Sequence, residues 1–434
     1  SRLIVLKIKL YERGIEMNKK QNIVLTGTII LGILSLYIIQ MGPSSILVQI
    51  KRGLAIESEV MLNMVVNIIF CFIVLGCIIG PHLEKKLGTK NLYTVSLIFS
   101  VVGVFSHIFA ENSYKLILIG RSVFGVGFGL SVPFIGSAIM KWYDGDARER
   151  MDTVNALFPF IGTAIAFLSL SPLTIFFDGR WEKALAIWSL PMFICLLVWQ
   201  FRIKEKELTV YGKSEESTEK GTYAELFKRR ELRLLCGIFV CDFACYSYIG
   251  VILPTYFFEI GGINETAANI IAAVAFPIFG MLGSIAGGQF NSKFKRRKPI
   301  LCIGQIGKFI GLMIVCKLYK YGFFTAVLGI AVFGFFNGFW MPVMYCIPMD
   351  LDNMSSAKVG AAFALMTACG IAAGFIAPSI GGAMTQMFMR QSAAVNSFVS
   401  HTDALRQSLW IFSFTNILSL GLCIKMMETG KRKI

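Results

Sequence analysis

Apolar residues in this chain are gathered into blocks of roughly 18–25, the length a helix needs to cross the ~30 Å hydrocarbon core of a bilayer. Twelve such blocks lie near 22–44, 59–81, 91–110, 116–140, 153–176, 184–201, 234–258, 267–290, 299–317, 323–349, 359–385 and 407–426. Only 16% of the residues are charged and the mean hydropathy is +0.67, which excludes an ordinary soluble domain. The expected fold class is an all-α integral membrane protein with twelve transmembrane helices.

Part of this pattern occurs twice. Val123-Phe124-Gly125, Gly129, Pro133 and Met140 return 209 residues later as Val332-Phe333-Gly334, Gly338, Pro342 and Met349. At an offset of 208, Ala156-Leu157, Gly162, Ala164 and Phe167 return as Ala364-Leu365, Gly370, Ala372 and Phe375. Apolar coincidences are common in such sequence, but glycine and proline held in register are not. Two pseudo-symmetric six-helix bundles are expected, with a site between them.

The formal charge of +16 follows the topology. If the spans alternate and both termini lie inside, 31 of the 42 Lys and Arg fall in inside segments, nine fall outside, and Arg121 and Lys308 fall within spans. That is the positive-inside bias, so the basic balance predicts orientation and no nucleic-acid partner. The expected domains are a cytoplasmic tail 1–21, a first bundle 22–201, a polar linker 202–233 read as a solvated connector, a second bundle 234–426 and a tail 427–434. Met17-Asn18-Lys19-Lys20 reads as a native start, so 1–16 are expected to be either foreign or mis-assigned upstream sequence. The first apolar block lacks a small-residue cleavage site, so no signal peptide is expected. The 11 cysteines form no CxxC pair and have no His partners. No metal, disulfide framework or cofactor is implied, and without a nucleophile–base cluster an enzyme is not expected.

The loop after the second span reads Pro81-His82-Leu83-Glu84-Lys85-Lys86-Leu87-Gly88-Thr89-Lys90, and the loop after the eighth carries Gly288, Phe290, Ser292, Lys293, Lys295, Arg296 and Arg297. The fourth span carries Arg121 followed by Gly125, Gly127 and Gly129. This chain resembles the major facilitator superfamily, whose loop signature is Gly-x-Leu-x-Asp-Arg-x-Gly-Arg-Arg and whose fourth span carries Arg-x-x-x-Gly-x-Gly. Both loop copies depart from the signature: Lys85 and Ser292 stand where the aspartate belongs, and Glu84 is the nearest acid. Lys141-Trp142-Tyr143 with Arg148-Glu149-Arg150 is loosely similar to the anion porters, of the cyanate and nitrate type. The resemblance implies alternating access of rocker-switch form. It implies gating at Glu84, Lys86 and Lys293, and substrate or proton coupling at Arg121. Gly125, Gly129, Gly334 and Gly338 let helices approach closely and fit a packing or rocking interface.

Polar residues inside spans are the candidate substrate site: Arg121, Tyr37, Gln40, Asn63, Asn67, Asn155, Tyr246, Asn337 and Trp340. Arg121 can fork onto a carboxylate or other oxyanion. Asp242 is the proton-coupling candidate, with an ion pair as its plainer reading. A pairing of Asp242 with Arg121 is not expected, because they lie at opposite depths. Lys308 reads as a snorkelling side chain or a misplaced span boundary. The leading expectation is a monomeric secondary transporter of a small anion, with proton and membrane lipid as its other partners, in a bacterial cell membrane. Efflux of amphipathic drugs is an alternative, since 13% of the residues are aromatic and Met numbers 19. A non-transporting receptor is a second.

Overall fold

The computed structural model of the protein describes residues 24–56, 59–110, 113–143, 145–203, 223–263, 265–318, 321–394 and 400–430. The expected tail 1–21, most of the linker 202–233 and the side chain of Asn63 lie outside the described residues. Every long element is a helix, and no strand occurs among the described residues. Among the described residues, eleven helical segments are long and apolar enough to cross a membrane. One of them, Met64–Phe109, has 46 residues. At 1.5 Å per residue that is about 70 Å, twice the hydrocarbon thickness.

Gly88 divides it. The φ of 80° and ψ of 163° there lie outside the helical region and favour glycine. The residue placed on the second glycine of the loop signature therefore has a backbone reason for its identity. The packing of the fourth span, Tyr114–Trp142, shows that the two arms run in opposite directions. Gly125 meets Ile69, Gly129 meets Gly76 and Pro133 meets Gly80, so the fourth span runs parallel to the second. Gly120 meets Gly103 and Gly127 meets Ser100 and Ser96, so it runs antiparallel to the third. The long segment supplies two crossings, which makes twelve among the described residues.

The second half repeats this arrangement. Along the tenth span, Phe323–Asp350, Gly334 meets Phe276 and Gly338 meets Gly280 of the eighth. Gly311, Gly307 and Gly304 of the ninth, Lys298–Lys317, meet Phe333, Phe336 and Trp340 in antiparallel order. The duplicated glycines mark where each half packs its fourth helix on its second. Where a Cβ on Gly129 would stand 2.7 Å from the Cα of Gly76, only glycine permits the approach.

The outer surface inverts that of a soluble protein. Phe176, Phe201 and Phe324 are exposed by 76%, 75% and 84%, whereas Arg121, Lys308 and Asp242 are buried. Apolar side chains face lipid and ionic ones face protein. The described end of the linker is also more than a tether. Residues Tyr223–Lys228 form a short helix, and the Tyr223 hydroxyl donates to the backbone carbonyl of Cys77 in the second span at 2.6 Å.

Candidate functional site

A cavity of about 850 Å³, its opening included, lies between the halves. The first span supplies Tyr37, Gln40 and Met41, because the helix ends there at Gly42-Pro43 and passes into a 3-10 turn, Gly42–Ile46. The fifth, Gly145–Phe176, supplies Asn155, Pro159 and Phe160. From the seventh, Arg230–Gly261, come Phe239, Asp242, Phe243 and Tyr246, one helical face at three- and four-residue spacing. The tenth adds Asn337, Trp340, Met341 and Tyr345.

Seven of the candidate residues thus converge: Tyr37, Gln40, Asn155, Asp242, Tyr246, Asn337 and Trp340. Arg121 and Asn67 do not line this space. The Arg121 guanidinium is buried and donates to three backbone carbonyls, those of Ile39 at 2.9 Å, Gln40 at 3.2 Å and Val65 at 3.1 Å. These carbonyls belong to the end of the first span and to the second, so the arginine ties three helices together.

The walls are aromatic. Phe239 stacks on Phe243 at 5.1 Å and meets the Trp340 ring edge-on at 6.2 Å, while Tyr37 meets Phe128 edge-on at 5.0 Å. Two buried polar atoms of the lining have no protein partner, Gln40 Oε1 and Trp340 Nε1. One is an acceptor and one a donor. Among the described residues Asp242 is the only charged one of the lining, and no cation is among them.

Behind the wall, Lys308 corrects the sequence reading. It neither snorkels nor marks a span end. Its ammonium pairs with Asp242, and Gln305 Nε2 and Ser419 Oγ reach the same carboxylate at 3.0 Å and 3.5 Å. Lys308 Nζ also stands 5.0 Å from the centre of the Trp340 ring. No property of the ninth span alone points to this, since the carboxylate is 66 residues away in the chain.

At the end of the molecule that carries the basic loops, the halves touch. Ser137 of the fourth span donates to Glu84 Oε2 at 3.0 Å and to the Ser356 carbonyl at 3.2 Å. Glu84 also accepts from Thr89 Oγ1 at 3.1 Å. The signature lysines expected to take part, Lys86 and Lys293, are exposed. Their neighbours bridge the halves instead. Lys295 contacts Asp146 at 2.9 Å and Glu149 at 2.7 Å, and Arg297 contacts Glu149 at 3.0 Å and Asp350 at 2.8 Å. Gly125, Gly129, Gly334 and Gly338 lie on contacts within each half. Close approaches between the halves lie elsewhere, among them Gly136, where an added Cβ would stand 3.1 Å from the Cα of Gly360.

A family model described as Major Facilitator Superfamily matches residues 28–378 and 234–427. Among curated proteins the chain is 24% identical to the glucose transporter GlcP of Staphylococcus epidermidis, over 88% of this chain and 90% of that protein. It is 19% identical to "Probable anion transporter 2, chloroplastic" of Oryza sativa subsp. japonica, over 78% of this chain and 66% of that one. Its structure resembles the proton:xylose symporter XylE bound to 6-bromo-6-deoxy-D-glucose, with a TM-score of 0.73 at 15% identity, covering 95% of this chain and 97% of that one.

Proposed function

The chain belongs to the major facilitator superfamily of secondary transporters, and from that premise we propose that it carries a neutral polyhydroxy solute, of monosaccharide or polyol size, with proton movement linked through Asp242. The observation that carries this reading is the cavity lining: aromatic faces, amides and phenols, two unpartnered polar atoms and no cation. Aromatic rings match the apolar faces of a sugar ring, and amides match its hydroxyls. The similarity to a glucose transporter supports the same class.

The anion expectation rested on Arg121 with the cavity amides and hydroxyls, but Arg121 does not line the cavity and donates to the backbone carbonyls of Ile39, Gln40 and Val65. An anion entering this space would meet Asp242, already paired with Lys308, and no cation among the described lining residues. The similarity to an anion transporter does not supply that charge.

Asp242 can hold either Lys308 or a proton. Protonation of the carboxylate releases the ammonium, which joins proton uptake to a rearrangement of Trp340 beside it. By the positive-inside bias the basic end faces the cytoplasm, so the Glu149–Arg297 and Lys295 contacts close the cavity on that side. Alternating access requires these contacts to break.

Proteoliposome uptake of labelled glucose and myo-inositol, beside phosphate and benzoate, with and without a pH gradient, tests the proposal. Saturable uptake of a neutral polyol, with its gradient response abolished by Asp242→Asn, is the expected result. Uptake confined to an anion, or binding without flux, overturns it.

A further inference from the structure

The fifth span carries a second buried acid, which the cavity does not use. Asp152 has no exposed surface. Its Oδ2 accepts a hydrogen bond from Cys346 Sγ of the tenth span at 3.3 Å, and its Oδ1 has no partner. The same sulfur accepts from Asn291 Nδ2 of the eighth span at 3.5 Å. Asp152 therefore lies on the seam between the halves. Asn155, three residues on, lines the cavity, as does Tyr345 next to Cys346.

Cys346 apart, the charged and titratable groups around this carboxyl do not pair with it. The fifth span contributes Arg148 and Glu149, the loop after the eighth Arg297, and the tenth Tyr345, Cys346 and Asp350. Arg297 directs its side chain to Asp350, Glu149 and Asn291. Arg148 donates to the carbonyls of Tyr143 and Met140. A fully buried carboxylate whose one hydrogen bond comes from a weak sulfhydryl donor is a costly species. The neutral acid removes the charge, and its O–H and the Cys346 S–H can exchange donor roles across the same contact.

We infer that Asp152 holds a proton while the halves are closed at the basic end and releases it to water when they part, so that the seam is a second proton-binding site. The step is an acid dissociation: the closed carboxylic acid and a water become an open carboxylate and a hydronium ion. Closure carries the bound proton, so the closed population falls as pH rises. Ionised in place, Asp152 would be repelled by Asp350 and attracted by Arg297 and Arg148, so burial is what favours the neutral acid. This inference rests on the family's alternating access but needs neither the polyol substrate nor Asp242.

Infrared difference spectroscopy of the full chain in lipid reads it directly. A neutral-carboxyl carbonyl band should be present at neutral pH, lost in Asp152→Asn, retained in Asp242→Asn, and shifted in frequency by Cys346→Ser. A band that Asp152→Asn leaves intact overturns the inference. A second measurement follows the distance between spectroscopic labels on azide-bearing residues at the exposed positions Lys85 and Arg296. The wild-type labels should separate as pH rises, and those of Asp152→Asn should stay close throughout. An Asp152→Asn protein that opens with pH as the wild type does also overturns it. Because neither readout uses flux, failure here is distinct from failure of the polyol assay.

Discussion

Lys308 of the ninth span and Asp242 of the seventh form an ion pair in which neither side chain is more than 2% exposed. Two charges removed from water are held there by each other, with Gln305 and Ser419 occupying the second carboxylate oxygen. Breaking such a pair by deleting one partner costs about 3–5 kcal/mol, whereas replacing both can be nearly neutral. Lys308→Met and Asp242→Asn should each lower the apparent melting temperature in detergent, and the double variant should regain much of the loss. Strictly additive losses would show that the two charges do not stabilise each other.

That pair also marks where sequence reading stopped. A charge inside a span announces that it needs a partner, so Arg121, Asp242 and Lys308 were all visible as exceptions. Which partner each one meets depends on how spans pack, and no periodicity encodes that. The duplicated glycines were legible for the opposite reason: a backbone approach such as Gly129 on Gly76 leaves room for one residue type only. Among cavity residues, the amides, Tyr37 and Trp340 stood out as polar exceptions. Phe239 and Phe243 did not, because a phenylalanine that lines a cavity looks like one that faces lipid. Lys295 is one of several basic residues in its loop and nothing in the sequence sets it apart, yet it is the residue that reaches Asp146 and Glu149.

Arg121 should prove to be a fastener. Its planar fork serves three carbonyls on two helices, and an ammonium cannot reproduce that geometry. Hydrogen bonds from charged donors contribute about 1.5–3 kcal/mol each. Arg121→Lys should therefore reduce folded yield and apparent melting temperature, and the protein that does fold should keep an unchanged KM. A selective rise in KM at full stability would return Arg121 to the substrate site.

The contacts at the basic end are unequal. Asp146 is 75% exposed, so its pairing with Lys295 is screened by water and adds little. Glu149 and Arg297 are 10% and 5% exposed and bridge the halves. Asp146→Asn should leave the label distance between positions 85 and 296 unchanged, whereas Glu149→Gln should lengthen it. Burial alone would lower the Lys295 pKa, but hydrogen bonds and charge from Glu149 and Asp146 raise it above the usual lysine range. A raised lysine pKa means that its contribution is complete below the ordinary value and is lost only as pH climbs through the raised one. Lys295 thus stays charged across neutral pH. If Lys295→Met, rather than Asp152→Asn, removes a neutral-pH response of the label distance, this assignment fails.

The cavity makes its own demand on substrate kinetics. Gln40 Oε1 and Trp340 Nε1 are buried there without protein partners, which leaves one acceptor and one donor for a solute. A typical neutral hydrogen bond is worth about 0.5–1.5 kcal/mol, or roughly 2- to 10-fold in affinity. Gln40→Leu and Trp340→Phe should each raise the KM for a transported polyol by that factor. Trp340→Phe keeps an aromatic face toward the solute, so Trp340→Ala should cost more. Asn67 is a polar residue of the second span that does not line the space, and Asn67→Ala should leave KM as it is. Equal effects at Asn67 and Gln40 would mean that the solute binds elsewhere in the fold.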